Sequence, residues 1–223
     1  MTKKRYKQTR KEEWFNAISH GITALSAIGG LVVLIVFGAL SEKDWSLFSA
    51  LFYGGSLVAL YTFSSIYHAI THEKAKRIFN ILDHCGIFLL IAGTYTPVLL
   101  ITMGGTTGWV LFGIQWGMAT VGVVLKIFYT GRYGAVSTLM YALMGWIIVV
   151  KINILMTLLP VPAFWLLVSG GLAYSVGIIF YVVDARMPYS HFIWHLFVMA
   201  GSILHYLMMV MYIYTLSQSS GLE

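Results

Sequence analysis

Ser190-His191-Phe192-Ile193-Trp194-His195 opens an apolar run that continues to about Leu216. A membrane-spanning helix needs about 20 mostly apolar residues, and this run has that length. Wound as a helix, it sets His191 and His195 on one face, one turn apart. Two imidazoles so placed can bind one metal ion. An ionisable pair at a membrane boundary marks a candidate functional site, and a third ligand would have to come from elsewhere in the chain.

Composition supports the membrane reading. The 223-residue chain is 59% hydrophobic and 10% charged, whereas soluble domains carry roughly 25% charged residues. That leaves too little polar surface for a soluble globule. Barrel strands would alternate polar and apolar residues over about ten positions, but here the apolar runs are unbroken for longer. The 22 glycines and four prolines also suit a helical bundle, where glycine lets backbones approach closely. The single cysteine, Cys85, excludes an internal disulfide and reads as a small core residue.

Seven segments qualify as spans, giving an all-α polytopic membrane protein. They run from about Phe15 to Leu40, Trp45 to Ala69, Ile78 to Met103, Trp109 to Tyr129, Tyr133 to Asn153, Pro162 to Val183 and His191 to Leu216. The first run is too long for a signal-peptide core and lacks a small-residue cleavage site, so it reads as a retained helix. Breaks fall at Ser41-Glu42-Lys43-Asp44, Gly104-Gly105, Gly131-Arg132 and Pro160-Val161-Pro162, all turn-forming chemistry. The expected organisation is a basic tail over 1–14, a seven-helix domain over 15–216 and a short tail over 217–223. Gly113-Ile114-Gln115-Trp116-Gly117 reads as a close helix contact.

Orientation follows from Lys and Arg in the short loops. Lys3, Lys4, Arg5, Lys7, Arg10 and Lys11 precede the first span, and Lys74, Lys76 and Arg77 follow the second. Lys126 and Arg132 flank the fourth-to-fifth connection, and Arg186 follows the sixth span. Only Lys43 and Lys151 fall on the opposite side. This asymmetry puts the N-terminus in the cytoplasm and the C-terminus outside. The formal charge of +6 then reads as attraction to anionic lipid head groups. No nucleic-acid partner is expected.

That topology puts Asn16, His20, His68, Asp83, His191 and His195 in the cytoplasmic half of the bilayer, drawn from four helices. Asp83 is the only carboxylate expected inside a span. A charged Asp at a helix centre costs about 2.5–3.5 kcal/mol, so it calls for a partner or a wet cavity, unless it serves as a helix-start carboxylate. Ser64 and His68 share one face of the second span. His68 with His191 and His195 would give three imidazoles and an open fourth position, the ligand set of a catalytic zinc; hydrogen-bonded interfacial histidines are the competing reading. His72 is expected in solvent, His84 points away from Asp83, and His205 lies roughly 15 Å along the axis from His195. His205 is therefore expected to bond another helix rather than join the same metal.

Glu13-x2-Asn16-x3-His20, Ser64-x3-His68, Asp83-His84, Leu90-Ile91-Ala92-Gly93-Thr94-Tyr95-Thr96-Pro97 and His191-x3-His195 together resemble the bacterial hemolysin III family. That family groups with the progestin and adiponectin receptors and, more remotely, the alkaline ceramidases, in a seven-helix superfamily. The resemblance runs from Glu13 to about Tyr214. It implies a multi-pass protein of the bacterial plasma membrane, with zinc held by His68, His191 and His195. Asp83 would contact the metal's water, Ser64 would lie close by, and Asn16 and His20 would support the ligands or strut the first helix. The implied activity is hydrolysis of a membrane lipid amide or ester. The alternatives are a hemolysin III-type pore-forming, cytolytic protein and a ligand-sensing receptor-like protein with structural zinc. The long cytoplasmic N-terminal region of the receptor branch has no counterpart before Glu13, which argues against a receptor role.

Overall fold

The structure, a computed structural model, describes residues 6–215. Lys3, Lys4 and Arg5 of the basic tail, Leu216 and the tail over 217–223 lie outside the described residues. Helices α1 (Arg10–Leu40), α2 (Ser46–Ala69), α3 (Glu73–Pro97), α4 (Gly105–Tyr129), α5 (Gly134–Trp146), α6 (Ile152–Leu158), α7 (Val161–Val183) and α8 (Ser190–Met208) account for most of it. Short turns extend three of them: a wide turn over Val98–Met103 after α3, a tight turn over Ile147–Lys151 joining α5 to α6, and a wide turn over Met209–Ile213 after α8. Counted as continuous rods, these make the seven expected spans, and no strand occurs among the described residues.

Four span boundaries differ from expectation by four or five residues: the fourth span starts at Gly105, not Trp109, and two of the others differ because capping carries helices into polar sequence. Thr9 and Glu12 form a reciprocal capping box, so α1 begins at Arg10. His72 accepts from the Ala75 amide at 3.4 Å and starts α3 at Glu73, five residues before the apolar run. Its ring is therefore an exposed cap as well as a solvated group. The fifth span continues to Leu158 because the Ile147–Lys151 turn bends the rod without ending it. At Pro97 the ring removes an amide donor, and the wide turn follows directly.

Lipid offers little hydrophobic drive for helices to associate, so close packing and interhelical hydrogen bonds must do it. Helix α1 packs along α2 and also touches α8; α2 packs along α3, α3 along α4, and α7 along α8. Helix α5 meets α3, α4 and α7 more sparsely, and that looseness leaves interior space beside it. The buried face of α7 is Ala163, Gly170 and Gly177, one small residue every seven. A Cβ at Gly170 would collide with the His205 ring, and one at Gly177 would meet Phe197 at 3.0 Å. Here glycine does bring two helices together. The Gly113–Gly117 pair does not: both are exposed, and a Cβ at either meets nothing within 4 Å. The spacing was right for a contact, but that face of α4 turns outward while Leu111, Gln115 and Ala119 turn in.

Candidate metal centre

Seven alternating spans bring the start of α1, the end of α2, the early part of α3 and the start of α8 to one end of the bundle. The polar residues singled out above meet there. His68 ends α2, and its ring lies 5.1 Å, centre to centre, from both His191 and His195. His191 and His195 are 4.8 Å apart on α8. Ligand nitrogens of all three lie within 4.8 Å of one another, close enough for one ion.

The nitrogens are arranged in a way that bears on metal binding. His68 Nδ1 lies 2.6 Å from Glu13 Oε2, and His191 Nδ1 lies 3.0 Å from Asp184 Oδ2. Ionised carboxylates only accept, so each Nδ1 carries the proton and each Nε2 is left as a bare lone pair. Both Nε2 atoms are buried without a partner, as are both ring nitrogens of His195. Buried polar atoms are rarely left unpaired. Three converging imidazoles with orphaned lone pairs fit a metal that prefers nitrogen ligands.

His20, on α1, stacks on His195 with ring centres 3.6 Å apart and planes 9° from parallel. It touches the triad through His195, and both its ring nitrogens lack partners. Asn16 is fully buried, but its amide donates to Gln8 at 3.0 Å. Ser64 is buried one turn before His68 on α2, with its hydroxyl unpartnered. Asp83 is 4% exposed, ten residues inside α3. That depth removes the helix-start reading. Asp83 and His20 line the same cavity of about 120 Å³, which continues away from the triad between α3, α5, α7 and α8.

The chain matches the family described as "Haemolysin-III related" over residues 8–206. It is 44% identical to "Hemolysin-3" from Bacillus cereus over 96% of this chain and 98% of that one. It is 45% identical to "Hemolysin-3 homolog" from Bacillus subtilis (strain 168), over 87% and 91% respectively. The chain belongs to the hemolysin III family. A more distant similarity, 30% to "Monocyte to macrophage differentiation factor" from Homo sapiens, covers 94% of this chain and 88% of that one. It accords with the wider superfamily expected from the motifs, and the chain is a multi-pass membrane protein.

In this hemolysin III protein, the sequence alone does not show what orients the candidate ligands. Glu13 was visible as a motif residue on the stripe of Asn16 and His20, three and seven positions on, yet its contact with His68 crosses a helix interface. It also accepts from Lys76 Nζ at 3.0 Å. Asp184 is the acid in the connection just before the histidine pair, and only the fold of that connection shows it reaching His191. The entry to α8 is held by the neighbouring carboxylate. Glu12 accepts from the Tyr189 amide at 2.6 Å, from the Tyr6 hydroxyl at 2.6 Å, and from the Thr9 amide and hydroxyl at 2.7 Å each. Tyr189 sits in the left-handed region at φ 57, an unfavourable backbone state for a non-glycine residue. Adjacent residues point about 100° apart on a helix, so Glu12 serves α8 while Glu13 serves α2.

Of the remaining histidines, His205 joins another helix as expected. His205 bonds Leu167 O on α7 at 3.0 Å, and His84 bonds Asn80 O within its own helix at 2.7 Å. Cys85 is a buried free thiol.

Proposed function

We propose that this protein is a zinc-dependent hydrolase of a membrane lipid amide or ester. The observation that carries the reading is three converging imidazoles with orphaned lone pairs, one of them stacked on His20, which together with Asp83 lines a largely apolar cavity. His68, His191 and His195 hold the ion. When bound, zinc supplies Lewis acidity to a carbonyl and makes water acidic enough to act as a nucleophile near neutral pH. The Asp83 carboxylate takes the proton from attacking water and returns it to the departing nitrogen or oxygen, so a C–O bond forms as the scissile bond breaks. Ser64 orients the water or donates to the developing oxyanion. His20 and Asn16 brace the ligands from α1.

The cavity favours a lipid substrate. Ile87, Leu90, Ile91 and Val198 are among its walls. Trp146, which is 43% exposed, and Ser175 line its side between α5 and α7, joined by a 3.0 Å hydrogen bond. An acyl chain enters sideways from the bilayer there, with its carbonyl at the triad. The Lys and Arg asymmetry puts this end of the bundle on the cytoplasmic side, where the basic residues hold anionic head groups.

The test is zinc content and hydrolysis of a panel of lipid amides and esters, measured on purified protein. Wild type should carry zinc, His191→Ala and His195→Ala should lose it, and Asp83→Ala should keep zinc but lose hydrolysis. Wild-type protein without metal would overturn the reading. Zinc retained with no substrate cleaved would favour a non-enzyme role. The name of the Bacillus relatives makes lysis the competing activity, and release of dye from red-cell ghosts measures it on the same samples.

A further inference from the structure

Lys126 stands on α4 four residues after Gly122, so the two share a helix face. That face looks into the junction of α3, α4 and α5. A Cβ at Gly122 would collide with Phe88 of α3, whose ring centre lies 4.4 Å from that of Tyr141 on α5. Beside them, Cys85 Sγ of α3 lies 3.9 Å from Val123 O of α4. Lys126 is only 4% exposed in this junction, and lysine is almost never so buried unless paired.

No such pairing is present. Among the described residues, no carboxylate lies within ion-pair distance of Nζ and no group accepts a hydrogen bond from it. The Thr130 hydroxyl donates to the Lys126 carbonyl and leaves the side chain alone. The C-terminal end of the α4 dipole offsets only part of the charge. A snorkelling lysine would lay its stem along lipid, whereas this stem is walled by protein. Nζ is nevertheless not sealed in: unlike the orphaned imidazole nitrogens, it keeps accessible surface. Its depth is that of the lipid head groups. Lys126 lies about 4.5 Å along the axis from the end of α4 at Tyr129. Exposed Tyr129 and Tyr133 flank that end, with ring centres 6.0 Å apart, and tyrosines of this kind gather at the head-group level.

We propose that the junction of α3, α4 and α5 is a phosphate site, with the Lys126 ammonium as the counter-charge. A buried cation needs an anion, and the protein supplies none within reach. The level suits the phosphate of an anionic phospholipid in the adjoining leaflet, since basic pockets between membrane helices take such head groups. Free phosphate offers the same chemistry. The site involves neither the triad nor the cavity beside α5, so it stands or falls apart from the hydrolase reading.

Thermal unfolding in nanodiscs tests this. The discs contain phosphatidylcholine alone, phosphatidylcholine with phosphatidylglycerol, or phosphatidylcholine bathed in inorganic phosphate at constant ionic strength. A ligand of the folded state raises the unfolding midpoint, and wild type should gain roughly 2–4 °C from phosphatidylglycerol. Lys126→Met removes an unpaired buried charge, so it should match or exceed wild type in phosphatidylcholine and gain nothing from the anion. Lys126→Arg should keep the gain, as should Lys74→Gln, which removes an exposed charge from the same end of the bundle. A second measurement needs no variant. Acylation of the Lys126 amine by a small reagent, read by peptide mass spectrometry, should be suppressed by the anion more strongly than acylation of Lys74. A Lys126-dependent gain from phosphatidylglycerol alone identifies the lipid as the source, and one from inorganic phosphate identifies the free ion. No gain from either, a gain that survives in Lys126→Met, or equal protection of Lys126 and Lys74 overturns the proposal.

Discussion

Glu13 on α1 grips the Nδ1 of His68 on α2 at 2.6 Å, so a helix outside the histidine triad sets which nitrogen of a candidate ligand is free. Asp184 does the same for His191. The third imidazole, His195, has no carboxylate and instead lies flat against His20 of α1. Removing an orienting carboxylate typically costs 10–100-fold in metal affinity. Glu13→Gln and Asp184→Asn should each weaken zinc by about that factor, read by chelator competition. Unchanged affinity in both would show that the carboxylates do not orient the ligands.

Tyr6 provides a pH handle outside the membrane. Its hydroxyl donates to Glu12, and that hydrogen bond, followed by desolvation and the charge of Glu12, raises its pKa from 10.0 to about 12. The folded state thus favours the protonated phenol. The contribution is complete below pH 10 and is lost as pH rises through about 12. Difference absorbance against Tyr6→Phe should show one phenol titrating late, near pH 12. A titration near 10 would mean that the clamp between the N-terminal segment and Glu12 does not form.

Cavity space can be tested without touching the metal. Gly145 and Gly171 line it, and a Cβ at either meets nothing within 4 Å. Gly145→Leu and Gly171→Leu should therefore fold with normal zinc content while blocking the acyl chain. Hydrolysis and fatty-acid binding should fall at least tenfold, the direction expected when a pocket is filled. Full activity in both would place the substrate elsewhere.

Glycines of α4 separate packing from pattern. A Cβ at Gly122 would collide with the Phe88 ring, whereas Gly113 and Gly117 face open space. Gly122→Ala should cost about 1–3 kcal/mol through overpacking, visible as a lower midpoint in thermal or denaturant unfolding. Gly113→Ala and Gly117→Ala should be neutral or slightly stabilising, because alanine favours a helix.

Much of this architecture is readable along the chain because lipid imposes a one-dimensional code. Backbone groups must be satisfied within each span, so apolar run length alone yields seven helices. The i, i+4 spacings of Ser64 with His68 and of His191 with His195 assign faces, and the alternation of spans brings three histidines and Asp83 to one end. Helix ends were less legible. Thr9 and His72 extend α1 and α3 into polar sequence by side-chain capping, which hydropathy does not register. Gly113 and Gly117 had the spacing of a contact, but no neighbouring helix lies against them.

By itself the sequence determined the number of spans, the basic asymmetry, the His191 and His195 face and the shared depth of His68 and Asp83 with that pair, because each depends on spacing along one helix or on depth in the bilayer; the convergence of His68 on the pair needed the fold. Tertiary structure decided which nitrogens are free. The pairing of Glu13 with His68 and of Asp184 with His191, the stacking of His20 on His195 and the cavity beside α5 all cross helix boundaries. They depend on the rotation and separation of neighbouring helices, which close packing fixes and periodicity does not encode.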